Sequence, residues 1–145
     1  MAYGTADEVA ALARAFSDDG HWIDPVEDYS IAGTNPTLST VEAWLDNISA
    51  QMDIALGTNW FVTPVNSITQ AQAYKAISQY VCGLVADMCY LANGVEREVS
   101  PLGKILQDLT KWVSQNADGL VAMGLTQTPT PSTKNQASFR IVGGY

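Results

Sequence analysis

The chain has 145 residues, 47% of them hydrophobic, which predicts one domain built around a single hydrophobic core. Its net charge of −8 disfavours binding to nucleic-acid backbone or to anionic membranes. It has neither a run of about eighteen apolar residues nor a basic leader before an apolar stretch, so we expect no membrane span and no secretory signal.

The first helix is predicted by a capping box near the start of the chain. Thr5 supplies an N-cap hydroxyl, and Glu8 supplies a carboxylate three residues later. The helical spacing of the apolar residues that follow predicts an inward face of Val9, Leu12 and Phe16, with the helix ending near Phe16.

A long loop is predicted over residues 18–36, because no helical period continues there and two glycines and two prolines interrupt it. Trp22 and Ile23 are candidate anchors for a neighbouring protein. The loop also holds five acids, whose spacing differs from the twelve-residue calcium loop, so we expect a solvated acidic loop and no calcium site. These acids are Asp18, Asp19, Asp24, Glu27 and Asp28.

The negative charge is concentrated in the first part of the chain. Residues 1–60 hold ten acids and only one base, Arg14, whereas residues 61–145 hold five acids and six bases. This asymmetry is typical of a molecule whose two ends meet different neighbours, although solubility alone can also produce it.

The second helix is predicted to start at another capping box, Ser39 with Glu42, and to stop at Gly57. Residues 60–65 then form a short extended connector. The apolar face of this helix comprises Val41, Trp44, Leu45, Ile48, Met52 and Leu56.

Two further helices complete the predicted body. The longest runs from about residue 68 to 92, and the last starts with Ser100 as N-cap and Pro101 at the first helical position and ends near Gln115. Residues 120–125 are expected to add one further turn. The sequence therefore predicts an all-α, single-domain bundle of about four helices over residues 1–125.

The two cysteines lie on the longest helix, seven residues apart. Cys82 and Cys89 are then about 10 Å apart along the helix axis, whereas a disulfide needs α-carbons within about 7 Å. We therefore expect two unpaired, buried thiols in a reducing compartment.

The sequence offers few groups for catalysis or metal binding. His21 is the only histidine, which excludes a two-histidine metal site, and no glycine-rich phosphate loop precedes a helix. Asp53 and Asp87 lie near apolar faces, but a single carboxylate specifies no reaction. We expect a protein that is not an enzyme and binds no cofactor or metal.

Residues 126–145 differ in composition from the body. They contain two prolines among hydroxyl residues, the bases Lys134 and Arg140, and no acidic side chain. This predicts an extended C-terminal arm that docks on another protein, with a disordered terminus as the alternative. The candidate docking residues at its end are Phe139, Arg140, Ile141, Val142 and Tyr145.

Four segments resemble, in order and spacing, the head–tail connector proteins of long-tailed bacteriophages. They are residues 3–12 (YGTADEVAAL), 36–45 (PTLSTVEAWL), 61–65 (FVTPV) and 116–120 (NADGL). The order of the segments carries the resemblance, since each is weakly specific alone. In that family, small helical subunits form a ring beneath the portal and extend the DNA channel toward the tail.

The resemblance implies a virion protein at the head–tail junction, assembled in the host cytoplasm. Its partners would be the portal protein, identical subunits and further neck or tail proteins, with genomic DNA passing through and no membrane contact. Another neck component, such as a stopper or tail terminator, is one alternative. A small cytosolic regulator that binds a partner through a helical face is an alternative of a different class.

Overall fold

The computed structural model describes residues 2–26, 32–95 and 105–128, apart from the side chain of Leu106. These ranges contain four α-helices, and a 3-10 turn over Arg14–Phe16 follows the first. Within them no strand forms, only two isolated bridges. The predicted all-α bundle of about four helices is confirmed. The helices are α1 (Ala6–Leu12), α2 (Leu38–Thr58), α3 (Ala71–Ala92) and α4 (Ile105–Ala122).

The core lies where α2 packs against both α3 and α4, while α1 lies across α3 and touches α2. Tyr80 of α3 and Trp112 of α4 stack with ring centroids 4.5 Å apart. None of the described helices is both long and apolar enough to cross a membrane. The largest fully buried side chains of the three long helices are Val41, Ile48, Met52, Leu56, Ile77, Val81, Val85, Ile105, Leu109 and Leu120.

The first helix is shorter than predicted. The capping box is present, with the Glu8 N–H donating to Thr5 Oγ1 at 3.2 Å, but α1 ends at Leu12 and the chain turns at Ala13. Val9 is buried as expected, whereas Leu12 is 52% exposed, so its predicted place in the core is wrong. Phe16, the next residue of the predicted inward face, therefore lies beyond the end of α1, and its ring packs edge-on against that of Tyr90.

The N-cap of the second helix lies two residues before the predicted one. Thr37 is the N-cap, and its hydroxyl accepts from the Thr40 N–H at 3.3 Å. Ser39, the predicted cap, lies inside the helix. The helix ends at Thr58, next to the predicted stop at Gly57.

The third helix starts at Ala71, three residues later than predicted. The side chain of Asn66 accepts from the N–H groups of Ile68 and Thr69 at 2.8 and 2.9 Å, which holds residues 66–70 as a separate turn. A side-chain oxygen competing for backbone donors is a common reason for a helix to start late.

The fourth helix continues past the predicted end at Gln115 to Ala122, so residues 116–120 are helical. It ends where Gly124 takes φ +97° and the Leu125 N–H donates to the Leu120 carbonyl at 3.0 Å. A glycine in the left-handed region is a frequent helix terminator. The predicted start at Ser100 and Pro101 lies outside the described residues.

Candidate interaction surfaces

The predicted acidic loop is only partly a set of solvated carboxylates. Asp18 and Asp19 are exposed, at a tight turn in which the backbones of Asp18 and His21 hydrogen bond to each other. Asp24 instead contacts α2. Glu27 and Asp28 lie outside the described residues, so the loop contributes two exposed acids to the described surface.

Asp24 binds the N-terminal turn of α2. Its two carboxylate oxygens accept from the Ser39 N–H at 2.9 Å and from the Ser39 hydroxyl at 2.7 Å. These bonds lower the pKa of Asp24, the backbone bond having the larger effect. The carboxylate thus has a structural partner within its own chain.

Trp22 belongs to the core. It is 3% exposed, and its indole N–H donates to the Ala6 carbonyl at 3.0 Å. The prediction that Trp22 anchors a neighbour is therefore wrong. Ile23, half-buried, exchanges hydrogen bonds with Thr34 across the loop, which orders the chain on both sides of the segment at 27–31.

A second acidic surface escaped the sequence analysis. Glu42 and Asp46 of α2 line an open cleft of about 440 Å³, whose other wall is the N-terminal segment from Ala2 to Ala6. Their four-residue spacing, which puts them on one helix face, was readable in the sequence. The packing of the N-terminal segment against that face was not.

Both thiols are buried and unpaired, as predicted. Burial, chiefly, raises the pKa of Cys82 to about 11 and that of Cys89 to about 12. At neutral pH both groups are protonated thiols and poor nucleophiles. Among the described residues no group of three or more His, Cys, Asp or Glu side chains is placed to hold a metal ion.

Asp53 has a hydrogen-bond partner, Tyr3, which the sequence did not reveal. The phenol of Tyr3 donates to Asp53 Oδ1 and accepts from the Val65 N–H at 3.0 Å. Burial and the bond to Asp53 raise the pKa of the Tyr3 phenol. The network joins the N-terminal segment, α2 and the connector, and Ser49 adds to it by accepting from the Tyr3 N–H at 2.8 Å.

The start of the predicted C-terminal arm is attached to the body. The Val62 N–H donates to the Thr126 carbonyl at 2.9 Å, and the Thr128 N–H donates to the Trp60 carbonyl at 2.7 Å. Residues 126–128, which we call the arm root, therefore pair with the connector, beside the exposed side chains of Trp60 and Val62. The docking residues Phe139, Arg140, Ile141, Val142 and Tyr145 lie outside the described residues.

The arm root and the acidic loop lie at opposite ends of the bundle. Asn59, at the C-terminal end of α2, accepts at its carbonyl from the Gln127 side chain. The N-terminal end of α2 meets Asp24, and Asn35 there bonds to Asn93 at the end of α3. The 21 residues of α2 separate the two ends by about 30 Å.

A mainly apolar groove runs between α1 and α3. We call it the α1–α3 groove. It consists of two adjoining hollows of about 350 and 380 Å³, and Leu12 and Gln79 line both of them. The groove is also lined by Glu8 and Ala11 of α1 and by Gly83 and Asp87 of α3.

Comparison of the chain with family models, with curated proteins and with solved structures finds no match. The surfaces of the described residues are therefore the basis for proposing a function.

Proposed function

We propose that this protein is a structural subunit of a bacteriophage neck, forming a ring below the portal that joins head to tail and continues the DNA channel. The observation that carries the proposal is the placement of the acidic loop and the arm root at opposite ends of one helical bundle. A connecting subunit needs two such ends, because it meets a different neighbour at each.

The end of the bundle that carries the arm root supports attachment to a partner. The arm root fixes the point at which an acid-free chain with two bases leaves the body. A flexible segment that orders on binding forms weak single contacts, but a ring repeats each contact, so that the combined attachment is strong. The portal protein and the neighbouring subunit are the proposed acceptors.

The acidic surfaces support passage of DNA without binding. Asp18, Asp19, Glu42 and Asp46 are exposed, and carboxylates form no counterion-releasing contacts with phosphate. A channel wall that carries them would repel the duplex and leave it free to move.

The test is sedimentation velocity of the purified full chain, alone and mixed with the portal ring of the same virus. We expect the chain to co-sediment with the portal, and a chain truncated after Thr128 to bind much more weakly. This truncation retains the arm root and its bonds to the connector, so circular dichroism should show unchanged helix content.

A full chain that remains monomeric and ignores the portal ring would contradict the proposal and favour a small regulatory protein. Equal binding by the truncated chain would keep the neck assignment and move the docking surface onto the helices.

A further inference from the structure

We propose that the α1–α3 groove of one subunit receives the end of the C-terminal arm of a neighbouring copy, an inference that rests on the proposed ring. The groove is open in the single chain, and the residues that would fill it are Phe139 and Ile141.

The shape and polarity of the groove suit apolar side chains. Leu12 is 52% exposed where the two hollows meet, although it belongs to a helix that packs on the core. Gly83, inside α3, deepens the floor, since a Cβ there would meet no described atom within 4 Å. An interior glycine weakens a helix, and no described contact within the chain requires this one.

The charges of the groove and of the arm are complementary. Glu8 lines one hollow and Asp87 the other, so each carries a carboxylate. The arm contains Lys134 and Arg140 and no acidic side chain. In an extended chain Phe139 and Ile141 share one side and Arg140 takes the other. Phe139 and Ile141 can therefore enter the groove together, while the positive charge of the arm is attracted to the negatively charged groove.

The length of the arm is sufficient for it to reach a neighbouring copy. The side chain of Gln70, just before α3, donates to the Gly124 carbonyl at 3.2 Å, which marks the level of the arm root. Gly83 lies about 20 Å further along α3. The chain from Thr128 to Phe139 spans up to about 36 Å when extended, which exceeds this distance and is enough to reach the groove of an adjacent subunit in the proposed ring.

The first experiment measures binding of a labelled peptide of residues 132–145 by fluorescence anisotropy. The acceptor is the full chain carrying Phe139→Asp and Ile141→Asp, whose own arm cannot compete. We expect saturable binding that weakens about tenfold or more when Leu12→Glu is added. The matched control is Leu91→Glu, which changes a leucine of similar exposure (54%) on α3 but outside the groove lining.

The electrostatic part of the contact is tested with Glu8→Gln. Glutamine can replace glutamate in the capping box, so α1 keeps its N-terminal bond while the groove loses one charge. Peptide binding should weaken and should depend less on salt. Binding that Leu12→Glu and Leu91→Glu affect equally would overturn the assignment of the groove.

The second experiment distinguishes a neighbour from the chain's own body. Full-length Leu12→Glu protein, with an intact arm, is mixed with the Phe139→Asp, Ile141→Asp protein, which has an intact groove. Above the Kd of the peptide, each variant should sediment as a monomer and the mixture as a one-to-one dimer. Peptide binding without a mixed dimer would place the arm on its own body and overturn the inference.

The failure of this inference and that of the proposed function give different results. If both variants still form rings and join the portal, the neck assignment stands and the groove is not the acceptor. If the peptide binds the groove and the mixed dimer forms while the wild-type chain ignores the portal, the self-association stands and the neck assignment fails.

Discussion

Gly4 allows the N-terminal segment to lie against α3. Its φ of +95° lies in the left-handed region, and a Cβ at this position would overlap Cys82 Sγ. On either side of it, Tyr3 is bonded to Ser49 and Thr5 caps α1. Glycine is therefore required here twice, for its backbone conformation and for its small size.

Gly4→Ala should lower the free energy of unfolding by about 2–5 kcal/mol, combining a left-handed conformation that costs about 1–2 with an overlap that costs about 1–3. Urea unfolding measures the change. In a Cys82→Ala background the steric part should be recovered. Gly20→Ala is the control, because its φ is +81° but its Cβ would meet no described atom within 4 Å. Equal costs at the two glycines would contradict the close approach to Cys82.

The sequence predicted the burial of the two cysteines but misplaced two apolar residues, Leu12 and Trp22. Periodicity assigned Leu12 to the core and the loop position assigned Trp22 to the surface, and the structure reverses both. Each error has a tertiary cause. Leu12, the last residue of α1, lines the open groove beside α3, and Trp22 finds a hydrogen-bond acceptor in Ala6, sixteen residues away.

The N-terminus of α2 has two acceptors for its unpaired backbone donors. Thr37 accepts from the Thr40 N–H, as an N-cap does, and Asp24 accepts from the Ser39 N–H across the loop. A carboxylate at this end also interacts favourably with the helix dipole. The loop and the helix therefore stabilise each other, and the loop acid has a role that its composition did not indicate.

Asp24→Asn should make stability less dependent on pH. The folded state holds the pKa of Asp24 below its usual 3.8, so its contribution is complete above that value and is lost as the pH falls through the lowered pKa. We therefore expect a lower Tm for the variant at about pH 7 and equal Tm values at about pH 2. Asp19→Asn, an exposed acid in the same loop, should leave Tm unchanged at neutral pH. An equal deficit for Asp24→Asn at both pH values would exclude an effect of charge.

The number and order of the helices followed from capping boxes and apolar periodicity, because those signals are local. The ends of the helices did not. Ser39 matches the capping pattern, yet Thr37 forms the cap, since the helix already begins at Leu38. The predicted end at Gln115 was too early, since α4 continues to Ala122 and Leu120 packs into the core. The arm root depends on pairing with residues more than sixty positions earlier, which no local pattern reveals.

The whole molecule has an acidic end and an arm end, and the charge asymmetry of the sequence follows this division. Four exposed acids of the first sixty residues form two surfaces, the Asp18–Asp19 turn and the cleft with Glu42 and Asp46, while Asp7 and Glu8 lie exposed on α1. Asp24 lies in the same loop as Asp18 and Asp19 but binds the N-terminal turn of α2. In the proposed ring, we expect one of the two surfaces to line the channel.

Lysine substitutions distinguish the two surfaces. One phage carries Asp18→Lys with Asp19→Lys, another Glu42→Lys with Asp46→Lys, and a control carries Asp118→Lys on the exposed face of α4. All three subunits should fold and assemble, because the changed residues are exposed. The set that lines the channel should slow DNA ejection, since each lysine gains a salt-dependent contact with phosphate, and raised salt should restore the rate. The rate of ejection from purified particles is the measurement. Normal ejection with both lysine sets would exclude these surfaces from the channel wall and leave the arm as the remaining support for a place in the neck.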